Sequence, residues 1–169
     1  MMIKKIATGL LAAAAATALA ATVPAAASAT TAVAATTTPP VYHDDWGAVW
    51  SKNGLAKSFG HVKVDWQDYG DTNSTTVSGR LYDLDPRKYR HGGLCAYVKF
   101  QANYFGDASH EWETVYTRKH CGYPGFKWYS FQEDDVRALR VKVCQTDKHG
   151  QYVTKCTKHW QYVYSYEQM

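Results

Sequence analysis

The first ninety-four residues of the chain contain no cysteine, and no C-x-x-C or H-x-x-x-H spacing occurs anywhere in the sequence. Lipid attachment through an N-terminal cysteine is therefore excluded. A zinc site is disfavoured, because its ligands usually come in such closely spaced pairs. The sequence also lacks a G-x-S-x-G motif, which removes the nucleophile elbow of the α/β-hydrolases from consideration.

Charge is scarce at the N-terminus, where Lys4 and Lys5 precede an apolar, alanine-rich run that ends at Ala27-Ser28-Ala29. A basic start, an apolar centre and a small-x-small exit predict a secretory signal peptide over residues 1–29. A retained membrane anchor is the alternative, and it is disfavoured because alanine and threonine insert weakly into bilayers. We therefore expect a secreted protein with no membrane association after cleavage.

Cleavage after Ala29 would leave 140 residues, which suffice for one domain with one core. Loss of the two lysines lowers the formal net charge from +4 to +2. So small a balance favours neither nucleic acid nor an anionic membrane as a partner.

Residues 30–41 contain no charged and no aromatic side chain, and they include two prolines. Such a composition cannot build a core, so we expect an extended, flexible arm followed by a single domain over residues 42–169. An extended segment can add a strand to a partner's sheet edge. The arm therefore supplies the first candidate partner-binding residues: Thr36, Thr37, Thr38, Pro39, Pro40 and Val41.

Four cysteines lie in the second half of the chain: Cys95, Cys121, Cys144 and Cys156. An even number in an exported domain indicates two disulfides, for which three connectivities exist. We favour Cys95–Cys121 and Cys144–Cys156, because each pair would join neighbouring segments.

Apolar and polar residues alternate along residues 62–66, 77–81, 94–102 and 139–143, which predicts half-buried antiparallel strands. Less regular strands are expected at residues 111–117, 126–131, 152–156 and 159–166, with Gly, Pro, Asn and Asp turns between them. About eight short strands favour an all-β fold, an antiparallel β-sandwich more than a barrel. Residues 46–57 are the one helical candidate.

Thirteen tyrosines and six tryptophans exceed the needs of so small a core. Tyr162, Tyr164 and Tyr166 share one face of the last predicted strand. If the face with Val163 is buried, this tyrosine row is exposed and is a second candidate partner-binding surface. The alternative is that the row packs into the core.

Candidate catalytic residues are few, and the sequence predicts a protein that is not an enzyme and holds no cofactor or metal. Glu111 and Glu113 would lie on the same side of a strand, whereas glycosidase carboxylates flank a bond from opposite sides. The seven histidines are scattered singly. Asn73-Ser74-Thr75 has the form of a glycosylation sequon, and we interpret it as a solvated turn.

The chain also resembles a known group of proteins. The resemblance rests on the alanine-rich leader, the Thr/Ala/Pro arm and a series of short motifs. The motifs are Trp46-Gly47, Ser58-Phe59-Gly60, Val77-Ser78-Gly79-Arg80-Leu81-Tyr82-Asp83, Cys95-Ala96-Tyr97-Val98-Lys99-Phe100, Cys121-Gly122, Val141-Lys142-Val143-Cys144 and Cys156. Their layout resembles small secreted proteins of Streptomyces-type actinobacteria, and within them the adaptor subunit of umbrella toxin particles. That resemblance implies a β-sandwich that links a lectin-bearing subunit to a large toxin chain.

Two functions follow from the sequence. The first is a secreted, non-catalytic protein–protein interaction module, an adaptor of an extracellular antibacterial toxin complex. The second is a stand-alone secreted effector, such as a protease inhibitor or a glycan-binding antimicrobial protein. An inhibitor would need a rigid exposed loop near a disulfide, and residues 121–126 and 146–151 are the candidates.

Overall fold

The structure is a computed structural model that describes residues 41–67, 72–109 and 111–168. These residues form nine β-strands and no α-helix. The strands are β1 (Val41–Trp50), β2 (Ala56–Gln67), β3 (Thr72–Asp83), β4 (Cys95–Tyr104), β5 (Glu113–His120), β6 (Gly125–Asp134), β7 (Val136–Thr146), β8 (Val153–Thr154) and β9 (Gln161–Ser165). Short 3-10 turns lie at Tyr89–His91 and Tyr166–Gln168.

The strands form two antiparallel sheets that pack face to face. The four-stranded sheet has the order β1-β2-β3-β6, and the five-stranded sheet has the order β5-β4-β7 with β8 and β9 both paired to β7. The period-two prediction is confirmed: the alternating apolar side chains of β2, β3, β4 and β7 point between the sheets and are buried. The fold is the all-β sandwich that the sequence predicts.

The helix predicted for residues 46–57 is wrong. Its first half completes β1, and its second half is a turn that leads into β2. The pairing of β1 with β2 shifts by one residue between Gly47 and Val49, so Trp46 and Val49 both face the core at a spacing of three. A β-bulge thus gives a strand an apolar spacing that is typical of a helix. β1 includes Val41, which the sequence analysis assigned to the arm, because Val41 pairs with Asp65.

The centre of the core is the fully buried ring of Phe100 on β4. Its centroid lies 5.5 Å from that of Trp46, 5.8 Å from Tyr129, 5.0 Å from Phe131 and 6.3 Å from Tyr116. Three of these four rings belong to the four-stranded sheet, so Phe100 joins the two layers through aromatic contacts.

A row of paired residues on the inner face of the four-stranded sheet makes room for those rings. Trp46 pairs with Gly60, Gly60 with Gly79, and Gly79 with Tyr129, so two glycines lie between two large aromatic residues. A Cβ atom on Gly79 would lie 2.6 Å from the Tyr129 hydroxyl oxygen. The Tyr129 hydroxyl is instead 2.7 Å from the Ser58 hydroxyl, in a buried hydrogen bond. Burial raises the pKa of Tyr129 far above its usual value.

Both disulfides have the expected connectivity. Cys95 is bonded to Cys121 and Cys144 to Cys156, and the described residues contain no free cysteine. The first bond joins β4 to the segment after β5, and the second joins β7 to the segment after β8. Two disulfides are typical of proteins that fold in an oxidising environment outside the cytoplasm. No helix in the described part of the chain is long and apolar enough to cross a membrane.

Asn73 is not part of a solvated turn, contrary to the sequence interpretation. It lies in β3 with 2 % of its surface exposed. Its amide nitrogen donates to the Val136 carbonyl at 2.8 Å, and its amide oxygen accepts from the Val136 amide at 3.0 Å. Because both ends of the side chain are bonded to the β6–β7 corner, the folded protein leaves no free amide for a glycan.

We expect Gly60→Ala to lower the free energy of unfolding more than Gly79→Ala. A Cβ on Gly60 would lie 1.9 Å from the Ser78 carbonyl oxygen, whereas the nearest atoms at Gly79 would be farther away, the Tyr129 hydroxyl oxygen at 2.6 Å and the Phe59 carbonyl oxygen at 2.8 Å. Gly79→Ala should cost about 1–3 kcal/mol, as overpacking usually does. Denaturant titration measures both. Ser78→Ala, on the outward face, is the control and should change the free energy of unfolding by less than about 0.5 kcal/mol. A larger loss of stability for Gly79→Ala than for Gly60→Ala would contradict this account of the atoms that an added Cβ would meet.

Candidate functional site

The candidate residues from the arm are only partly within the described chain. Thr36, Thr37, Thr38, Pro39 and Pro40 lie outside the described residues. Val41 is the first residue of β1 and is 45 % exposed. Its pairing with Asp65 places it at the end of an edge strand rather than in a free segment.

The three tyrosines of the predicted exposed row do not share a face. Tyr162 and Tyr166 are 54 % and 49 % exposed, but Tyr164 is 2 % exposed and Val163 is buried beside it. The pairing of β9 with β7 shifts by one residue, so that Leu139 pairs with Tyr164 and Arg140 with Tyr162. This bulge interrupts the alternation on which the prediction rested, and it excludes Tyr164 from any surface site.

The clearest electrostatic anomaly among the described residues is a carboxylate pair, Asp83 and Asp85, at one end of the sandwich. Burial raises the pKa of Asp83, whose oxygens accept from the backbone amides of Gly122 at 2.9 Å and Asp85 at 3.1 Å. Hydrogen bonds from Arg87, at 2.8 Å and 2.7 Å, hold the pKa of Asp85 well below its usual range. These carboxylates bind the loops of the fold to each other, since their oxygens are occupied by neighbouring groups of the same chain.

The other acidic residues lie at separate places in the fold, and one exposed histidine, His61, pairs with Asp45. Glu111 and Glu113 are exposed near the start of β5, whereas Asp134 and Asp135 lie at the β6–β7 corner. Across the described ranges, no group of three or more His, Cys, Asp or Glu residues is placed to hold a metal ion.

The most distinctive surface is the outward side of the four-stranded sheet, where five aromatic residues surround two cations. We call this set the aromatic face: Trp50, Lys57, Phe59, Arg80, Tyr82, Phe126 and Trp128. Strand register assembles it from four strands, because outward side chains that pair across a sheet form rows. One row is Trp50–Lys57–Tyr82–Phe126, and the next is Gly47–Phe59–Arg80–Trp128.

The two cations of the aromatic face lie among its rings. The Lys57 ammonium is 4.9 Å from the ring centroid of Tyr82 and 5.1 Å from that of Trp50. The Arg80 guanidinium carbon is 4.0 Å from the Trp128 ring. Each contact is a cation–π interaction, worth about 0.5–1 kcal/mol at an exposed site.

The rings of the aromatic face contact one another as well as the cations. Phe59 and Tyr82 are stacked with centroids 5.6 Å apart and planes 18° from parallel. Tyr82 lies 5.2 Å from Phe126, and Phe126 meets Trp128 edge to face at 5.8 Å. Phe59 and Tyr82 therefore each use one ring face inside the cluster.

Despite these contacts, the aromatic face remains open to solvent. Trp128 is 56 % exposed, Trp50 44 % and Phe126 43 %. Within the ranges that the structure describes, no ion pair joins Lys57 or Arg80 to a carboxylate. Farther along the same sheet surface, Asp65 pairs with Lys63. Clustered exposed aromatic residues with unpaired cations have the composition of a binding surface.

A second cation–aromatic cluster lies on the outward side of the five-stranded sheet. The Arg140 guanidinium carbon is 3.9 Å from the Trp112 ring and 4.6 Å from the Trp160 ring. Two nitrogens of Arg140 donate to the Gln101 side-chain oxygen, at 2.7 Å and 3.1 Å. Burial lowers the pKa of Arg140 from its usual value.

Sequence reasoning did not find the aromatic face, because its members are spread from residue 50 to residue 128 and only strand register brings them together. Two signals were present. One was the surplus of tyrosine and tryptophan, and the other was the placement of Arg80 at an outward position of the strand predicted over residues 77–81, which Tyr82 follows directly.

Comparison of the chain with protein-family models, with curated proteins and with solved structures gives no match. The functional argument therefore depends on the geometry of these surfaces.

If the aromatic face binds a partner rather than bracing the fold, Trp128→Ala should cost about 1 kcal/mol of stability or less. The reason is that more than half of the Trp128 surface already contacts solvent. Phe100→Ala, in the core, should cost about 3–5 kcal/mol. Guanidinium titration of both variants compares them directly. A loss at Trp128 as large as that at Phe100 would show that the face is structural.

Proposed function

We propose that the chain is a secreted, non-catalytic interaction module that docks on another secreted protein through the aromatic face. The observation that carries this proposal is the joint exposure of Trp50, Phe126 and Trp128 around two cations without carboxylate partners in the described chain. Tryptophan, tyrosine and arginine dominate the binding energy of protein interfaces.

Ring orientation favours a protein over a sugar as the occupant of this face. A sugar binds an aromatic residue by laying its C–H groups on an open ring face. On the aromatic face, Phe59 and Tyr82 stack on each other, and Lys57 and Arg80 cover parts of the other rings. Ring edges and cations suit side chains and carboxylates of a protein surface better.

The size of the aromatic face fits the centre of an interface. Four strands spaced about 4.8 Å apart make it roughly 15 Å wide. A stable interface buries about 800 Å² on each partner, which is several times the area of two short rows. The polar rows that continue along the same sheet, with His61, Lys63 and Thr76, would then form the rim.

In this proposal, the chain is exported and then becomes one subunit of an extracellular complex. Two disulfides suit an oxidising extracellular environment, and the leader over residues 1–29 is the expected export signal. The resemblance to umbrella toxin adaptors suggests the assembly. In that case, the module would join a lectin-bearing subunit to a large toxin chain, and no step would require catalysis by this chain.

One observation favours the stand-alone alternative. Tyr123 is 52 % exposed in the loop between Cys121 and β6, next to a disulfide. A projecting side chain on an anchored loop is the geometry that a protease inhibitor needs. A protease-inhibition assay with Tyr123→Ala as the control tests this function separately from partner docking.

Trp128→Ala and Arg80→Glu should each reduce recovery of a protein partner at least about tenfold. The first removes the most exposed aromatic contact, and the second reverses the charge that a partner carboxylate would meet. The measurement is affinity capture from the culture medium of the source organism, quantified by mass spectrometry for each recovered polypeptide.

The matched control is Ser74→Ala, which changes an outward residue of the same strand beyond both the aromatic face and its proposed rim. It should leave recovery unchanged. Equal recovery by all three variants would contradict docking through the aromatic face, provided that their thermal unfolding matches that of the wild type.

Removing residues 30–40 should leave the stability of the sandwich almost unchanged and should weaken attachment to at least one partner. The sequence of the arm has no large apolar group to anchor it, and it has backbone groups that a partner's sheet edge can pair. Paired capture experiments with trimmed and untrimmed protein measure the effect. Equal recovery of every partner would show that the arm is only a spacer.

A further inference from the structure

Two lysines lie directly opposite each other on the outward side of the five-stranded sheet. Lys99 on β4 pairs with Lys142 on β7, and both point away from the core because their neighbours Val98, Phe100, Val141 and Val143 are buried. Side chains directly opposite on antiparallel strands have Cβ atoms about 5 Å apart, and like charges there destabilise the sheet.

Further cations extend this pair into a strip. In the adjacent row, Gln101 pairs with Arg140, which lies between Trp112 and Trp160. In the row on the other side, Tyr97 pairs with Lys119. We call Lys99, Lys119, Arg140 and Lys142 the cationic strip.

In the described structure, over residues 41–67, 72–109 and 111–168, no carboxylate is ion-paired with Lys99, Lys142 or Arg140 to offset the repulsion in the cationic strip. The Lys142 ammonium lies 4.9 Å from the Trp160 ring, which orients it without neutralising it. Uncompensated like charges at paired positions break a local rule of sheet stability, and such violations concentrate at functional sites.

A cavity of about 390 Å³ adjoins the Arg140 end of the strip. Asn103, Trp112, Tyr162 and Ser165 line it and present amide, indole and hydroxyl groups. Arg137 and Glu167, which form an ion pair, close one side. The cavity therefore offers hydroxyl and indole groups beside a positive surface, and the Glu167 carboxylate in its lining is already paired with Arg137.

We propose that the cationic strip and its adjoining cavity bind an acidic polysaccharide, whose carboxylates meet Lys99, Lys142 and Arg140 while a sugar ring enters the cavity. This site lies on the opposite side of the sandwich from the aromatic face and does not depend on the proposed function.

The composition of the strip distinguishes this ligand from other polyanions. Protein interfaces are depleted in lysine and rich in arginine, whereas the strip is mostly lysine, a hydrated point charge that suits flexible, wet contacts with anions. A phosphate polymer would use the cations but has no ring to fill the cavity of about 390 Å³. A charged sugar polymer uses both.

The test uses the purified chain with both disulfides formed and polygalacturonate as the probe. Titration calorimetry should show binding that weakens as NaCl is raised from about 20 mM to about 200 mM, because exposed charges are screened. Fully methyl-esterified polygalacturonate, which has the same rings without charge, should bind at least about tenfold more weakly. Equal binding of the two polymers, or no binding of either, overturns the proposal.

The variant Lys99→Gln/Lys142→Gln should reduce affinity for polygalacturonate at least about tenfold, whereas Lys52→Gln/Lys127→Gln, with the same change in net charge, should not. If both variants lose affinity to the same degree, the binding depends on net charge alone, and the proposed site is overturned.

Thermal unfolding at low salt is the second measurement. The Lys99/Lys142 variant should melt at a higher temperature than the wild type, because the repulsion is removed; an unchanged or lower melting temperature contradicts the proposal.

Polyglutamate and polyphosphate of similar length complete the set of probes. The proposal requires polygalacturonate to bind more tightly than either at equal ionic strength. Ser165→Ala should reduce the difference in affinity between polygalacturonate and the other two polymers without abolishing binding, because it removes a cavity hydroxyl group and no charge. Tighter binding of polyglutamate would assign the strip to an acidic protein segment instead, and tighter binding of polyphosphate would assign it to a phosphate polymer.

Discussion

The contact on which the rest of the structure depends is the close approach of Gly60 and Gly79 on the inner face of the four-stranded sheet. Because neither residue has a side chain, Trp46 and Tyr129 can lie at the two ends of their row and meet Phe100 from the other sheet. Side chains alternate along a strand, so fixing this inner row also fixes which residues face outward. A slip of one residue would bring Phe59 and Arg80 into the core and place Ser58 and Gly79 at the surface. The aromatic face is thus a consequence of how the core is packed.

The same constraint explains why the aromatic face can be exposed without weakening the fold. The hydrophobic core contains its own aromatic cluster around Phe100, and Trp50, Phe126 and Trp128 are not needed to complete it. Their mutual contacts and the cation–π contacts with Lys57 and Arg80 hold the exposed rings in defined positions. Ordering side chains before binding lowers the entropy that a partner must offset on association. A preorganised, solvent-facing cluster is what a docking surface requires, and a cluster that served stability alone would be expected to bury more of its area.

Period-two alternation predicted the sandwich and most of its strands, because burial of one face is a local property of the sequence. Both disulfides could be paired correctly, because each joins segments that the strand pattern already placed side by side. Two of the departures from the sequence analysis share one cause. At Trp46–Val49 and again at Tyr162–Tyr164, a bulge adds a residue to one strand, and the alternation changes phase. The first bulge imitates a helix, and the second buries a tyrosine that was expected at the surface. The position of Asn73 and both cation clusters depend on register between distant segments, which a single sequence does not encode locally.

Net charge conceals the most informative electrostatic feature of this chain. A formal charge of +4, or +2 after the expected cleavage, predicts no preference for an anionic partner. The structure nevertheless gathers some of its cations into two groups on opposite sides of the sandwich, and in the described residues no ion pair joins either group to a carboxylate. Lys57 and Arg80 lie among aromatic rings, where a partner carboxylate would be partly shielded from water and each ion pair strengthened. Lys99 and Lys142 lie opposite each other on the outward side of the five-stranded sheet, with Lys142 next to the Trp160 ring, and their attraction for an anion is sensitive to salt. Two surfaces with the same sign of charge are therefore suited to different kinds of ligand, because the groups around each charge decide how much water a bound anion must lose.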